Sequence, residues 1–195
     1  MNHEEPIRRW RLPGPAELAR WRVRSGYAVA IFYAWFADPN TANLMLGAMV
    51  ATLGLVIRGA AAGYLRKNEK LATSGPYAYT RNPLYFGSAL LALGLLLAGN
   101  SWIAALLVAG YVAVFYPAVI RFEAEHLRKL HGRAYDDYAA HVPLFFPRLT
   151  PAPALADAAD PALFSWELYK SNREHHAAIG AAAAIALLGV KAFFM

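Results

Sequence analysis

The chain has 195 residues, of which 58% are hydrophobic and 16% charged, with a positive mean hydropathy of +0.29. That is too apolar and too poor in charge for an ordinary water-soluble domain of this size, so the composition selects a membrane class. No cysteine is present, which excludes disulfides, cysteine-based zinc sites, redox CxxC pairs and a cysteine nucleophile.

The opening run Met1 to Pro6 lacks the compact basic-then-apolar layout of a cleavable signal, so the chain is expected to be mature from Met1. A first apolar run occupies residues 22–37 and a second 43–65. Residues 82–120 then contain no charged side chain. As one helix at roughly 1.5 Å per residue they would far exceed a hydrocarbon core of about 30 Å. The polar break Gly99-Asn100-Ser101 therefore predicts two spans, 84–98 and 102–120, joined by a tight turn. An Ala-rich run, 177–194, makes a fifth span, whose Lys191 lies near the end and is free to snorkel.

The fold class expected is thus all-α, a multi-pass transmembrane bundle of about five spans forming a single integral membrane domain over 1–195. Basic residues set its orientation. With five spans, Arg8, Arg9, Arg11, Arg20, Arg22 and Arg24, then Arg66, Lys67, Lys70 and Arg81, then seven more between Arg121 and Arg173, all fall on one side. A first run that failed to cross would divide them between the two sides. The amino terminus and these loops are expected in the cytoplasm. The segment 121–176 is expected there too, with Arg121 to His141 an amphipathic surface helix whose Tyr135 and Tyr138 suit the headgroup level. Residues 147–161 form a Pro- and Ala-rich linker, and Phe164 to Lys170 an amphipathic lead into the last span.

A hairpin of 84–98 and 102–120 brings the start of its first helix beside the end of its second. Two polar motifs meet there: Thr73 to Tyr85, containing Tyr77, Arg81, Asn82 and Pro83, and Arg121 to His126, containing Glu123. Asn82-Pro83 reads either as an N-cap followed by a favoured first helical residue or as an anion site. In the second reading free amides and Arg81 receive a carboxylate or phosphate. Glu123 would then take the cationic end of the same ligand, with Tyr77 and Tyr85 offering aromatic faces; the alternative for both tyrosines is an interfacial aromatic belt.

Other features have plainer readings. Glu123 and His126 make one Glu-x-x-His, whereas carboxylate-bridged metal sites in bundles use two, so no metal is expected. His175-His176 reads as a solvated helix start. Arg58 is either functional, as an intramembrane ionisable residue, or snorkels from the inner half of its span. Gly59-x-x-x-Gly63 is a close-packing face. Topology and anionic headgroups account for the basic loops, so no nucleic-acid partner is expected.

The run Lys67-Asn68-Glu69-Lys70-Leu71-Ala72-Thr73-Ser74-Gly75-Pro76-Tyr77, continuing through Arg81-Asn82-Pro83-Leu84-Tyr85-Phe86-Gly87, resembles the isoprenylcysteine carboxyl methyltransferase and phospholipid methyltransferase superfamily. Glu123, Leu127, Gly132, Tyr135 and Tyr138, followed by Val142-Pro143 and Pro147, resemble that family's segment after its helical hairpin. The resemblance implies an S-adenosylmethionine-dependent membrane methyltransferase, with cofactor entering from the cytosol and a lipophilic or lipidated acceptor from the bilayer. Carried over by position, it implies cofactor contacts at Leu71, Ala72, Tyr77, Asn82, Pro83, Leu84, Tyr85 and Glu123. Arg81 joins these from the anion-site argument, and Arg81, Tyr85 and Glu123 become the positioning groups. No catalytic base is identified. Asn82 stands where isoprenylcysteine enzymes carry His, and Ala124 where they carry a second acid. Two other classes stay open: a membrane reductase of related architecture using a nicotinamide cofactor, and a non-catalytic membrane subunit or carrier.

Overall fold

A computed structural model describes residues 15–67, 69–153 and 163–194. Met1 to Pro6, with Arg8, Arg9 and Arg11, lies outside the described residues, as do Asn68 and residues 154–162 of the linker. Seven α-helices follow one another: α1 Pro15–Phe36, α2 Thr41–Tyr64, α3 Pro83–Gly99, α4 Trp102–His131, α5 Arg133–His141, α6 Trp166–Ser171 and α7 His175–Phe194. No strand occurs among the described residues.

Helices α2, α4 and α7 are each long and apolar enough to cross a membrane. Helix α3 is an apolar helix of 17 residues and α1 has 22, so the two complete a five-helix bundle. Their outer faces are unlike those of a soluble protein. Trp35, Met49, Val56, Leu106, Val114, Ile179 and Phe193 all expose more than half of their surface. Such an apolar girdle would be a liability in water, whereas in a bilayer it faces its proper solvent.

Lipid is as apolar as leucine, so helices in it associate by close van der Waals packing instead of by hydrophobic exclusion. The seam between α2 and α3 follows that rule. Gly47 and Gly54 on α2 face Gly94 and Gly87 on the antiparallel α3. A methyl group added at Gly47 would lie 2.4 Å from the Gly94 carbonyl oxygen, and one added at Gly54 would lie 2.6 Å from that of Gly87. Backbone therefore meets backbone, with no room for a side chain. Gly59 and Gly63 also form a packing face, but their partner is the chain after residue 163: Phe164 covers Gly63 and Tyr169 covers Gly59.

Helix α3 packs along α2 and touches α4 sparingly, while α4 packs on α1. The α3–α4 connection is a tight turn as expected, closed by Asn100 in the left-handed region at φ 46°. The same end of the bundle holds the α1–α2 loop, where Asp38 N donates to Gly99 O and Asn100 Nδ2 to Asp38 O. Lys191 does not reach outward there. Its Nζ donates to the Ala34 and Trp35 carbonyls, satisfying acceptors at the end of α1 that have no helical donor.

At the other end, α4 departs from expectation. It runs 30 residues without a break to His131, so Arg121 to His131 continues the span and only α5 is a separate helix. No residue between Ala118 and His131 disfavours helix, and the break falls at Gly132, whose φ of 54° suits glycine. Tyr135 and Tyr138 of α5 are not at a headgroup surface either. They are 2% and 3% exposed and pack with Val142, Leu71, Ala124 and Leu127.

Replacing Gly47 or Gly94 by Ala is expected to destabilise the bundle by about 1–3 kcal/mol, since neither backbone can withdraw. Gly110→Ala, whose added methyl meets nothing within 4 Å, should be neutral or stabilising by up to about 1 kcal/mol through helix propensity. Thermal unfolding in detergent measures both, and equal melting temperatures for all three would refute the seam.

Candidate functional site

The polar end of the bundle is built on the loop between α2 and α3. After Tyr64 the chain turns extended at Leu65, whose N–H donates to the Ala62 carbonyl, and Asn172 Nδ2 donates to that carbonyl and to the carbonyl of Leu65. Gly75 adopts φ 59° with its α-carbon against the Tyr64 ring, where a methyl group would lie 2.6 Å from that ring. A single 3₁₀ turn, Gly75–Ala78, follows and buries Tyr77.

A strap formed by residues 142–152 fixes the remainder of this loop. Thr80 Oγ1 donates to Phe145 O at 2.8 Å, Asn82 Nδ2 to Leu144 O at 2.8 Å, and Tyr138 Oη to Tyr77 O at 2.7 Å. Backbone bonds run from Arg81 N to Pro143 O, from Arg148 N to Tyr79 O and from Ala152 N to Ala78 O. Asn82 thus stands at the N-cap position of α3 without capping it, because its amide is spent on the strap. Residues 147–152 of the expected linker belong to this strap.

Loop, α4 and α5 together enclose a cavity of about 270 Å³, close to the lower end of the range for small-molecule pockets, roughly 300–1,000 Å³. Of the nine residues singled out from sequence, Leu71, Ala72, Tyr77, Arg81, Asn82 and Glu123 line it. Pro83, Leu84 and Tyr85 do not. Pro83 is buried in the protein, and the Leu84 carbonyl accepts from Ser88 and Arg58. Tyr85 turns edge-on to Tyr116 with ring centres 5.7 Å apart, and its hydroxyl interacts with Glu123. The sequence reading roofs the site with Arg121 to His141 but does not count Tyr135 and Tyr138 among the cofactor contacts. Tyr135 and Tyr138 close the cavity over Ala124 and Leu127, and their spacing of three on one helical face, shared with Leu127 of α4, was the available signal.

The charges of the wall are arranged asymmetrically. Arg81 has Nη1 within 3.3 Å of the Tyr135 hydroxyl and its guanidinium 6.0 Å from that ring. Its Nε is buried and finds no hydrogen-bond acceptor among the described residues. An unmet donor on a buried cation is costly, which makes it an invitation to an anionic ligand. Three ion pairs among the described residues engage Arg58, Arg128 and Arg133, and Arg81 takes no part in them. Glu123 supplies the opposite charge. Burial raises the Tyr77 phenol above its ordinary range, and Glu123 is the nearest negative charge reinforcing that rise. Burial likewise raises Tyr138, against a lowering by Arg81. Both hydroxyls are therefore neutral donors across the physiological range.

Arg58 neither snorkels nor stands alone. It holds Glu174 through two nitrogens, with Nη2 3.0 Å from Oε2, and also donates to Ser88 on α3. Among the described residues no group of three or more His, Asp or Glu comes together in the manner of a metal site.

The described residues thus form an all-helical bundle with a charged, aromatic-roofed cavity at one end. Residues 42–134 match the model of the phospholipid methyltransferase family, and the chain is similar to members of the integral membrane methyltransferase superfamily. It is 42% identical over 111 residues to the nickel-cobalt-cadmium resistance protein NccN of Alcaligenes xylosoxydans xylosoxydans, covering 54% of this chain and 49% of that protein. It is equally similar, 42% over 111 residues, to the cobalt-zinc-cadmium resistance protein CzcN of Cupriavidus metallidurans, covering 54% and 48%. A protein-S-isoprenylcysteine O-methyltransferase B from Arabidopsis thaliana is 27% identical over 114 residues, covering 56% and 58%. The chain thus spans about half the length of the curated relatives it matches. No solved structure matches.

Because Tyr77 and Tyr138 ionise later in the folded chain than in the unfolded one, they contribute stability fully present below about pH 10 and lost as pH rises through their folded values. Tyr138→Phe is expected to cost about 1–2 kcal/mol at neutral pH, through the unpaired Tyr77 carbonyl, and to flatten the alkaline loss of stability. Unfolding followed from pH 8 to 12 checks the sign; an identical pH profile for the variant would refute it.

Proposed function

We propose that the cavity binds S-adenosylmethionine and that the protein transfers its methyl group to a lipophilic, membrane-resident acceptor. The observation that carries this reading is the unmet, buried Nε donor of half-buried Arg81 in a wall that also presents Glu123. A carboxylate on Arg81 and an ammonium near Glu123 describe the two charges of an amino-acid end. Leu71, Ala72, Leu127 and the Tyr77, Tyr135 and Tyr138 rings offer an apolar and aromatic lining for the remainder. When bound, the cofactor supplies an electrophilic methyl on a positively charged sulfur.

The protein's own contribution is placement and exclusion of water. Arg81 and Glu123 orient the ligand by its charges, the α5 roof and the strap keep solvent out, and Tyr85 joins Glu123 to the helical interior, from which an acceptor would approach. Pro83 and Leu84 act beneath the wall, by fixing the start of α3, rather than by touching the ligand. An acceptor already ionised, a carboxylate or thiolate, needs no general base, whereas an amine would draw on a lining group such as His126. With the cavity facing the cytoplasm, as the grouping of basic residues favours, cofactor arrives from the aqueous side and acceptor from the bilayer. Two relatives are named for resistance to metals; the reaction proposed for this chain requires no metal.

Calorimetry in detergent tests the site. Arg81→Ala and Glu123→Ala are each expected to weaken S-adenosylmethionine binding at least about tenfold, the loss of one charge-assisted contact. Unaltered affinity in either variant would remove that residue from the site, and preferential binding of a nicotinamide cofactor would replace the reading with the reductase one.

A further inference from the structure

The last 32 described residues, 163–194, lie outside the region matched by the family model, yet they reach the cavity's foundations. Four contacts converge on the end of α2. Phe164 packs edge-on against Tyr64, with ring centres 6.3 Å apart, and its ring fills the space beside Gly63. Ser165 N donates to Gly63 O. Asn172 bonds the Ala62 and Leu65 carbonyls. Glu174, only 7% exposed, engages Arg58 through both carboxylate oxygens.

Those contacts lead to the cofactor wall by a short path. Leu65, Arg66 and Lys67, which follow α2 directly, line the cavity. Tyr64 is the surface against which Gly75 turns, and two residues later stands Tyr77, which feels the Glu174 charge directly. Arg58 also reaches Ser88 and the Leu84 carbonyl on α3, immediately after Asn82 and Pro83. The Arg58–Glu174 pair thus ties α2, α3 and the start of α7 together just beneath the cavity floor.

We infer that Arg58 and Glu174 form an intramembrane latch by which the carboxyl-terminal segment positions the 64–77 turn, making Glu174 a positioning residue for the cavity. An ion pair kept in low dielectric merely for cohesion would be replaceable by apolar side chains of similar volume. A bidentate pair that also aims a third partner, Ser88, specifies geometry that such a replacement cannot copy.

The inference rests on the cofactor reading for one of its two measurements only. Glu174→Gln alone would strand a buried cation and could simply unfold the protein, so the informative variant is the double replacement Arg58→Met with Glu174→Leu. It is expected to regain a melting temperature close to the native one in detergent. Its affinity for S-adenosylhomocysteine should nevertheless fall about tenfold, and the exchanged pair Arg58→Glu with Glu174→Arg should recover part of that loss. The second measurement uses the absence of native cysteine: a single Ala78→Cys reporter, buried beside Tyr77, should react with a maleimide at least about tenfold faster in the double variant. An unchanged labelling rate, or unchanged affinity in a double variant whose parent binds, overturns the latch. Should the native protein bind no S-adenosylhomocysteine, the cofactor reading falls, and the labelling rate still decides the latch.

Discussion

The contact on which the rest of this structure depends is the glycine seam between α2 and α3. In a bilayer nothing drives two apolar helices together except the quality of their packing, and the absence of four β-carbons lets these two backbones approach until carbonyl meets α-carbon. Everything polar hangs from the ends of this pair. The loop from Leu65 to Asn82 joins the two helices, so their separation fixes its span and leaves it folded into a tight turn. Were α3 paired instead with its hairpin partner α4, the loop would have to stretch around another helix. The aromatic cavity would then have no floor.

A second constraint follows from the first. Because α3 is committed to α2, α4 is free to leave the bundle, pack on α1 and run on past the apolar zone to His131. That extension carries Glu123, Ala124 and Leu127 along one face above the loop, and Gly132 then turns α5 back as a roof. The strap after Val142 closes the circuit by bonding Tyr79, Thr80, Arg81 and Asn82. Among the described residues the buried side-chain polar atom left without a hydrogen-bond partner is the Nε of Arg81, a residue of the cavity lining, and at a low-dielectric boundary such a group is costly.

Much of this was legible in the sequence. Charge-free runs locate spans because a hydrocarbon core tolerates little else, and the grouping of Arg and Lys between the spans follows the same logic. Six of the nine site residues meet in one cavity because a turn and an adjoining helix end hold them within a short stretch of chain. What was hidden depended on distance along the chain. Glu174 lies 116 residues from Arg58, and no periodicity connects them. Tyr135 and Tyr138 were misplaced for a different reason: an amphipathic helix has the same pattern whether its apolar face covers lipid or covers protein. Asn82 followed the statistics of an N-cap in position but not in bonding, since the strap offered its amide a better acceptor.

The arrangement also bears on how a membrane enzyme could keep its two ligands apart until reaction. Charge is distributed in layers across this end of the bundle. The outer layer, Arg81 with the roof tyrosines, lies outside the spans and faces the cavity. The inner layer, Arg58 with Glu174, is neutralised within the bundle. Glu123 and Tyr85 lie between the two. On the reading proposed above, Arg81 would hold the carboxylate of an amino-acid end, while Arg58 beneath it is already paired with Glu174. An acceptor arriving along the helices would then meet the layer of Glu123 and Tyr85, where the charge of Arg22 also acts on Tyr85. On that reading the two approaches would meet between the paired Arg58 and the open Nε of Arg81.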